Sequence, residues 1–158
     1  MTPGHEHPAV TLRAAREDDA SLIREWRNDA GTVRASANAR PVTDAEHARW
    51  FAATLTNPRR RLWVAEERGM PVGQVRVDLD GESGIFSIVV APAERGRGIG
   101  QAMLRRAVAE VERTGLATTL TALARVDNEA SIHAFEQSGF RRRGGPGDGF
   151  VTLDLVLG

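Results

Sequence analysis

Apolar and polar residues exchange along this chain in two rhythms, and the points where one rhythm gives way to the other mark out its elements. Val10-Thr-Leu-Arg13 alternates and predicts a short strand; Asp18 or Asp19 then offers an N-cap for a helix running to about Asn28, with Leu22, Ile23 and Trp26 along its apolar face. Gly31 to Pro41 is small and polar and reads as a loop. Thr43-Asp-Ala-Glu46 is a capping-box pattern that opens a second helix to about Leu55, carrying Trp50, Phe51 and Leu55. Period-2 alternation returns in Arg61–Glu66 and Val72–Leu79, joined by a turn at Gly69-Met70-Pro71. Asp80-Gly81 predicts a hairpin that brings Ile85–Val90 back antiparallel. Ala102, Met103, Val108 and Val111 recur at helical spacing until Gly115, and Leu116–Leu123 reads as a strand. Asn128 starts a last helix that Gly139 stops, with Phe140 as its hydrophobic anchor. After a short segment at Phe140–Arg143 and a glycine-rich loop from Gly144 to Gly149, expected to be mobile or to face substrate, Phe150–Leu157 closes as a strand.

The order β-α-α-β-β-β-α-β-α-β fits neither a uniform βαβ alternation nor a two-sheet all-β pattern. It predicts an α/β fold with a mixed, mostly antiparallel central sheet flanked by helices. A chain of 158 residues suits one domain spanning 1–158, with residues 1–8 as a flexible tail.

Charge and composition then remove classes. Lys+Arg and Asp+Glu balance at 21 each, and every one of those cations is an arginine. That balance argues against a general nucleic-acid or anionic-membrane binder and makes Arg59-Arg60-Arg61 and Arg141-Arg142-Arg143 solvated local patches. With no cysteine there is no disulfide, thiolate metal site or cysteine nucleophile. No apolar run reaches the ~20 residues that cross a bilayer, and the start lacks a signal-peptide core, so a cytoplasmic location is expected. His5-Glu6-His7 lacks a third ligand, and no metal is expected.

Candidate chemistry concentrates in Glu94-Arg-Gly-Arg-Gly-Ile-Gly-Gln-Ala-Met-Leu104. A strand, a glycine loop and a helix start converge free amides and a helix dipole on one point, which suits a phosphate. The phosphate loop of nucleotide triphosphatases needs a lysine that is absent, and a dinucleotide fold needs a small residue where Gln101 or Met103 stands.

Arg95-Gly-Arg-Gly-Ile-Gly100 resembles the Arg/Gln-x-x-Gly-x-Gly/Ala signature of the GCN5-related N-acetyltransferases. Asn128 to Phe140 resembles that family's second cofactor segment, and the likeness covers about Val10 to Leu157. The resemblance implies acetyl-coenzyme A as co-substrate. The backbone of Ile88, Val89 and Val90 would pair with the pantetheine arm, and Arg95, Gly96, Arg97, Gly98, Ile99, Gly100 and Gln101 would surround the pyrophosphate. Asn128, Ser131 and Phe135 would border it from the last helix. Glycine is expected at Gly98 and Gly100 because a side chain would enter the phosphate's space. A small-molecule amine acceptor is the expected partner, with a homodimer as one possible assembly.

Direct attack of an amine in a ternary complex is the economical route in a chain without cysteine. The family's usual tyrosine position holds Phe135, which leaves Ser131 or a water to protonate the leaving thiolate. The family's central-strand glutamate is missing too, so Glu82, His47 and, third, His133 are the candidates for the base. Trp26-Arg-Asn-Asp29, Val33-Arg34 and Glu46–Phe51 look like the branch that acetylates nucleotide-linked amino sugars and, more loosely, the branch that acetylates ribosomal-protein N-termini. Trp26 or Trp50 would stack on base or sugar, with core packing as the alternative for both; Arg27, Arg34 or Arg49 would meet the diphosphate, and Asn28 would help hold the acceptor. Carboxylates at Glu25, Asp29 and Glu46 keep the peptide acceptor open, and a silent acyl-coenzyme A sensor is the remaining reading.

Overall fold

A computed structural model describes residues 9–29, 41–143 and 149–157. Seven strands form one sheet in the order β1-β2-β3-β4-β5-β7-β6. They are β1 (Val10–Ala14), β2 (Arg60–Glu67), β3 (Met70–Asp80), β4 (Ser83–Val90), β5 (Thr119–Arg125), β6 (Arg141–Arg142) and β7 (Phe150–Val156). Each neighbouring pair is antiparallel except β4 with β5, which is parallel. Among the described residues four α-helices cover the sheet: α1 (Ala20–Asn28), α2 (Asp44–Thr56), α3 (Ile99–Thr114) and α4 (Glu129–Gln137). The mixed, mostly antiparallel sheet expected from the pattern is the one that forms.

The two faces divide by strand parity. Val75, Val77, Phe86 and Leu120 meet Met103, Leu104, Ala107 and Val111 of α3 in the larger core, which Val72 joins at the irregular register beside Ala65 and Glu66. On the opposite face Leu62, Val64 and Val89 pack with Ile23, Trp26 and Phe51 of α1 and α2. Thr43 caps α2 as expected: its hydroxyl accepts from the Glu46 N–H at 3.1 Å, and the Thr43 N–H donates to the Glu46 carboxylate at 3.0 Å. At α1 the expected cap is replaced. Asp19 lies at the helix start, but its carboxylate accepts the Arg16 N–H at 2.7 Å and both terminal nitrogens of Arg13, which hold it below the usual carboxylate range. The opposite charge is the stronger partner for a carboxylate that is almost buried.

Two turns differ slightly from the sequence pattern. The β2–β3 hairpin turns at Arg68-Gly69, leaving Met70 and Pro71 in the strand, and Asp80 still pairs with Ser83 before Gly81-Glu82 turns the chain.

Candidate active site

The site begins where two strands part. β4 pairs with β5 only from Ser83↔Thr119 to Phe86↔Ala122, whereas its pairing with β3 continues to Val90↔Gly73. The Ala91 N–H donates to the Val72 carbonyl at 2.8 Å, so Val72 and Ala91 are a hydrogen-bonded pair. Antiparallel alternation makes Gln74 and Val89 the next such pair, and it turns the backbone groups of Ile88 and Val90 away from β3 into the gap that β5 has left. Val89 therefore spends its amide on β3. Of the three residues expected to pair with an extended ligand, Ile88 and Val90 offer backbone on the open side and Val89 does not.

The chain leaves β4 through a short 3-10 turn, Pro92–Glu94, and enters the glycine loop. Gly98 stands at the N-cap of α3 with φ 78°, a left-handed conformation that a side chain resists. The first intrahelical bond is Ala102 N–H to Gly98 C=O at 3.1 Å, so the amides of Ile99, Gly100 and Gln101 precede the helix's own bonding. This is a fit for a pyrophosphate: bare backbone, unspent amides and the positive end of a 16-residue helix. At Gly100 the reason for glycine differs from the expected one. A Cβ there would lie 3.3 Å from Val90 Cγ2, so the residue lets α3 sit close against β4. The loop's two arginines are held by acids, Arg95 by Asp29 at 2.7 Å and Arg97 by Glu67 at 2.9 Å and by Glu94.

The last helix borders the same gap. Asn128 caps α4 by accepting the Ser131 N–H at 3.2 Å. Phe135, on the same helical face as Ser131, is buried and meets Phe140 edge to face at 5.2 Å, so it contributes shape and no proton.

On the other face, α1 and α2 pack together against the sheet. Asn28 locks their ends together: its amide nitrogen donates to the Val42 carbonyl at 3.0 Å and its oxygen accepts the Val42 N–H at 2.7 Å. Asn28 is a brace, with its amide committed to the backbone. Trp26 is also corrected, since it is 5% exposed within the core of α1, α2 and the sheet and offers no face for stacking. Trp50 is half-buried with the Arg76 guanidinium 5.4 Å over its ring. Arg49 is exposed on α2, and Arg27 is half-buried on α1. His47 is buried beside Trp50 and Phe51, and burial together with the charges of Arg24 and Arg27 pushes its pKa below the ordinary 6.5.

Two base candidates lie elsewhere. Glu82 occupies the β3–β4 turn, where its carbonyl accepts the Thr118 N–H at 2.8 Å. Six residues of strand separate it from Ile88, about 20 Å at the usual rise, so its carboxylate is at the wrong end of β4. His133 is exposed on α4. A hollow of about 280 Å³ between α2 and the start of β2, lined by Thr54, Leu55, Pro58, Arg60 and Leu62, is also at that far end. Arg34, residues 1–8 and most of the Gly144–Gly149 loop lie outside the described residues.

Two residues beside the gap were not singled out by the sequence reading. A Cβ on Gly73 would come within 2.5 Å of the Val89 carbonyl oxygen and 2.7 Å of Met103 Cε. A glycine inside an alternating strand was the available signal for that close approach. Gln74, next to it, is a polar residue in an otherwise apolar buried run and faces the α1–α2 side.

These features agree with what comparison finds. The model of the acetyltransferase (GNAT) family matches residues 13–140, and the chain belongs to that family. It is an acetyl-coenzyme A-dependent N-acetyltransferase. It is 24% identical over 156 residues to an aminoglycoside N(6')-acetyltransferase type 1 of Klebsiella pneumoniae, spanning 89% of this chain and 78% of that protein. Among solved structures, yncA of Salmonella typhimurium with its cofactor acetyl-CoA is 27% identical, covers 95% of both chains and superposes with a TM-score of 0.76. A spermidine N-acetyltransferase from Vibrio cholerae, solved with CoA and spermine, shares the fold at a TM-score of 0.83 and 18% identity, over 93% of this chain and 95% of that one. Among the described residues, no helix is long and apolar enough to cross a membrane.

Proposed function

We propose that the chain acetylates the primary amine of a small molecule that also carries an anionic group, with a nucleotide-linked amino sugar as the acceptor class. The observation that carries this reading is the set of arginines on this face, Arg24 and Arg27 of α1 near His47 and Arg76 over Trp50; the charges of the first two add to burial in lowering the His47 pKa. Arginines on the acceptor side favour a phosphate or diphosphate near the amine over polycations of the aminoglycoside or polyamine kind. Of the three carboxylates that would welcome a peptide N-terminus, Asp29 accepts from Arg95 and Glu46 completes the cap of α2, while Glu25 stands exposed on α1.

Acetyl-coenzyme A supplies the acyl group as a thioester. The helix start from Gly98 to Gln101 holds its phosphates, and the open backbone of Ile88 and Val90 aligns the arm and polarises the carbonyl through N–H donation. Ser131, on the α4 face that carries Phe135, gives a proton toward the leaving sulfur. Asn128 holds that first turn in place.

The test is an acetyl-transfer assay across kanamycin, spermidine, a uridine-diphosphate-linked amino sugar and a short peptide with a free N-terminus. The nucleotide-linked sugar should lead by at least about tenfold in kcat/KM, with uridine diphosphate competing. A lead for kanamycin or spermidine, with no competition from the nucleotide, overturns the acceptor class.

A further inference from the structure

Two polar atoms are sealed on the acceptor side of the sheet. His47 Nε2 and Gln74 Oε1 are buried with no hydrogen-bond partner, in side chains only 5% and 7% exposed. Leaving a buried polar atom unsatisfied costs about 1–3 kcal/mol. Unmet groups of that cost call for a physical reason, and one such reason is a partner that arrives from outside.

Their heights on the sheet coincide. Arg60, the register partner of Asp78, donates to Thr54 Oγ1 at 3.2 Å, and Arg76 lies over Trp50. Thr54 thus stands at the level of Asp78 and Trp50 at the level of Arg76, so α2 runs in the direction of β3. One step back is about 4.5 Å along the helix, from Trp50 to His47, and about 6.6 Å along the strand, from Arg76 to Gln74. That brings His47 to the level of Gln74. Gln74 in turn is the register partner of Val89, between the two residues whose backbone faces the donor gap.

We propose that His47 Nε2 and Gln74 Oε1 together seat the acceptor's attacking amino group, each accepting one of its N–H bonds so that the nitrogen lone pair points at the thioester carbon. The proposal rests on the α1–α2 face being the acceptor side, as argued above. In the transfer step the C–N bond forms as the C–S bond breaks, and the sulfur leaves with the electron pair. One amine proton passes to His47 Nε2, while Gln74 takes no proton and only orients the nitrogen. The neutral imidazole that this requires is the form that burial and the neighbouring arginines favour.

The experiment uses n-butylamine, which lacks an anionic group, so its result does not depend on which acceptor is physiological. The imidazole nitrogen-15 resonances of His47 are followed in coenzyme A-saturated wild-type protein as the amine is added at pH 9. In parallel, Gln74→Met, which keeps the length and removes Oε1, is assayed for melting temperature, coenzyme A affinity and butylamine acetylation. The expected result is a saturable shift at Nε2 in wild type. In Gln74→Met the expectation is an equal or higher melting temperature, unchanged coenzyme A affinity and a loss of about tenfold or more in kcat/KM for the amine. A His47 resonance that ignores the amine overturns the proposal, as does a Gln74→Met protein that melts lower yet acetylates normally. If the nucleotide-linked sugar fails as acceptor while butylamine still moves His47, the acceptor class falls and the seat stands.

Discussion

Arg95 donates from Nη2 to Asp29 Oδ2 at 2.7 Å, tying the first residue of the glycine loop to the residue that follows α1. The donor loop and the acceptor wall are therefore joined by one charge pair.

Because the Arg95 side chain is 44% exposed and that of Asp29 is 24% exposed, the pair adds at most about 1 kcal/mol to stability. Its effect should appear in binding. Asp29→Asn removes the acid that competes with phosphate for Arg95. Coenzyme A affinity should rise about threefold at low salt and the gain should shrink at high salt, as calorimetry at the two ionic strengths would read. An affinity that does not move would remove Arg95 from the phosphate site.

Gly73→Ala puts a methyl group 2.5 Å from a backbone carbonyl that β3 itself holds in place, beside the Met103 thioether of α3. The methionine can swing aside but the carbonyl cannot, so a loss of about 2–3 kcal/mol is expected, seen as a lower denaturation midpoint. Gly98→Ala should cost about 1–2 kcal/mol from its φ of 78° and should also weaken coenzyme A, which Gly73→Ala affects only through the fold.

His47 predicts a pH dependence of stability. Its folded pKa lies below the ordinary 6.5, so the unfolded chain takes up the proton first on acidification. Stability is full above about pH 6.5 and declines as pH falls below it toward the folded value. Asp19, also lowered but from 3.8, loses its contribution only in a separate window at more acid pH. Urea midpoints across the first window should slope in wild type and flatten in His47→Asn; equal slopes would mean that His47 titrates normally.

Ser131→Ala should lower kcat about tenfold while changing the Michaelis constant for acetyl-coenzyme A little, the pattern of a contact made in the transition state. The Ser131 backbone N–H still donates to Asn128, so helix capping and melting temperature should hold. Equal turnover would pass the proton to water.

The glycine-loop geometry proposed for the donor was legible in the chain because it is local. Gly98, Ile99 and Gly100 are consecutive, and a strand, a loop and a helix start can be read from eleven residues. The acceptor side was not, since it depends on which way buried side chains face after α2 docks on β2. Trp26 and Trp50 are alike in sequence, yet one is core and the other lies under Arg76. Asn28 looked like a ligand-binding amide, and only the approach of Val42 shows that its amide is spent. Gln74 hid inside a strand whose alternation predicted a polar residue there, but not that it would be buried without a partner. Glu82 is six residues from Ile88, and because those residues are extended, adjacency in sequence became distance in space.

The parting of β4 from β5 has a mechanical side. Between the β1–β4 leaf and the β5–β7–β6 leaf, strand pairing runs only from Ser83 to Phe86 on one side and from Thr119 to Ala122 on the other. A short seam at one end of two broad leaves is the geometry of a hinge. Gly84 sits in that seam, where a Cβ would meet Val77 Cγ1 at 2.8 Å and Leu120 Cδ2 at 3.1 Å, so the fulcrum is tightly packed while the far ends are not held together by pairing. A rotation at Gly84 would be lengthened along β4 toward Val90, so the width of the gap proposed for the acetyl donor would follow from packing at the opposite end of the strand.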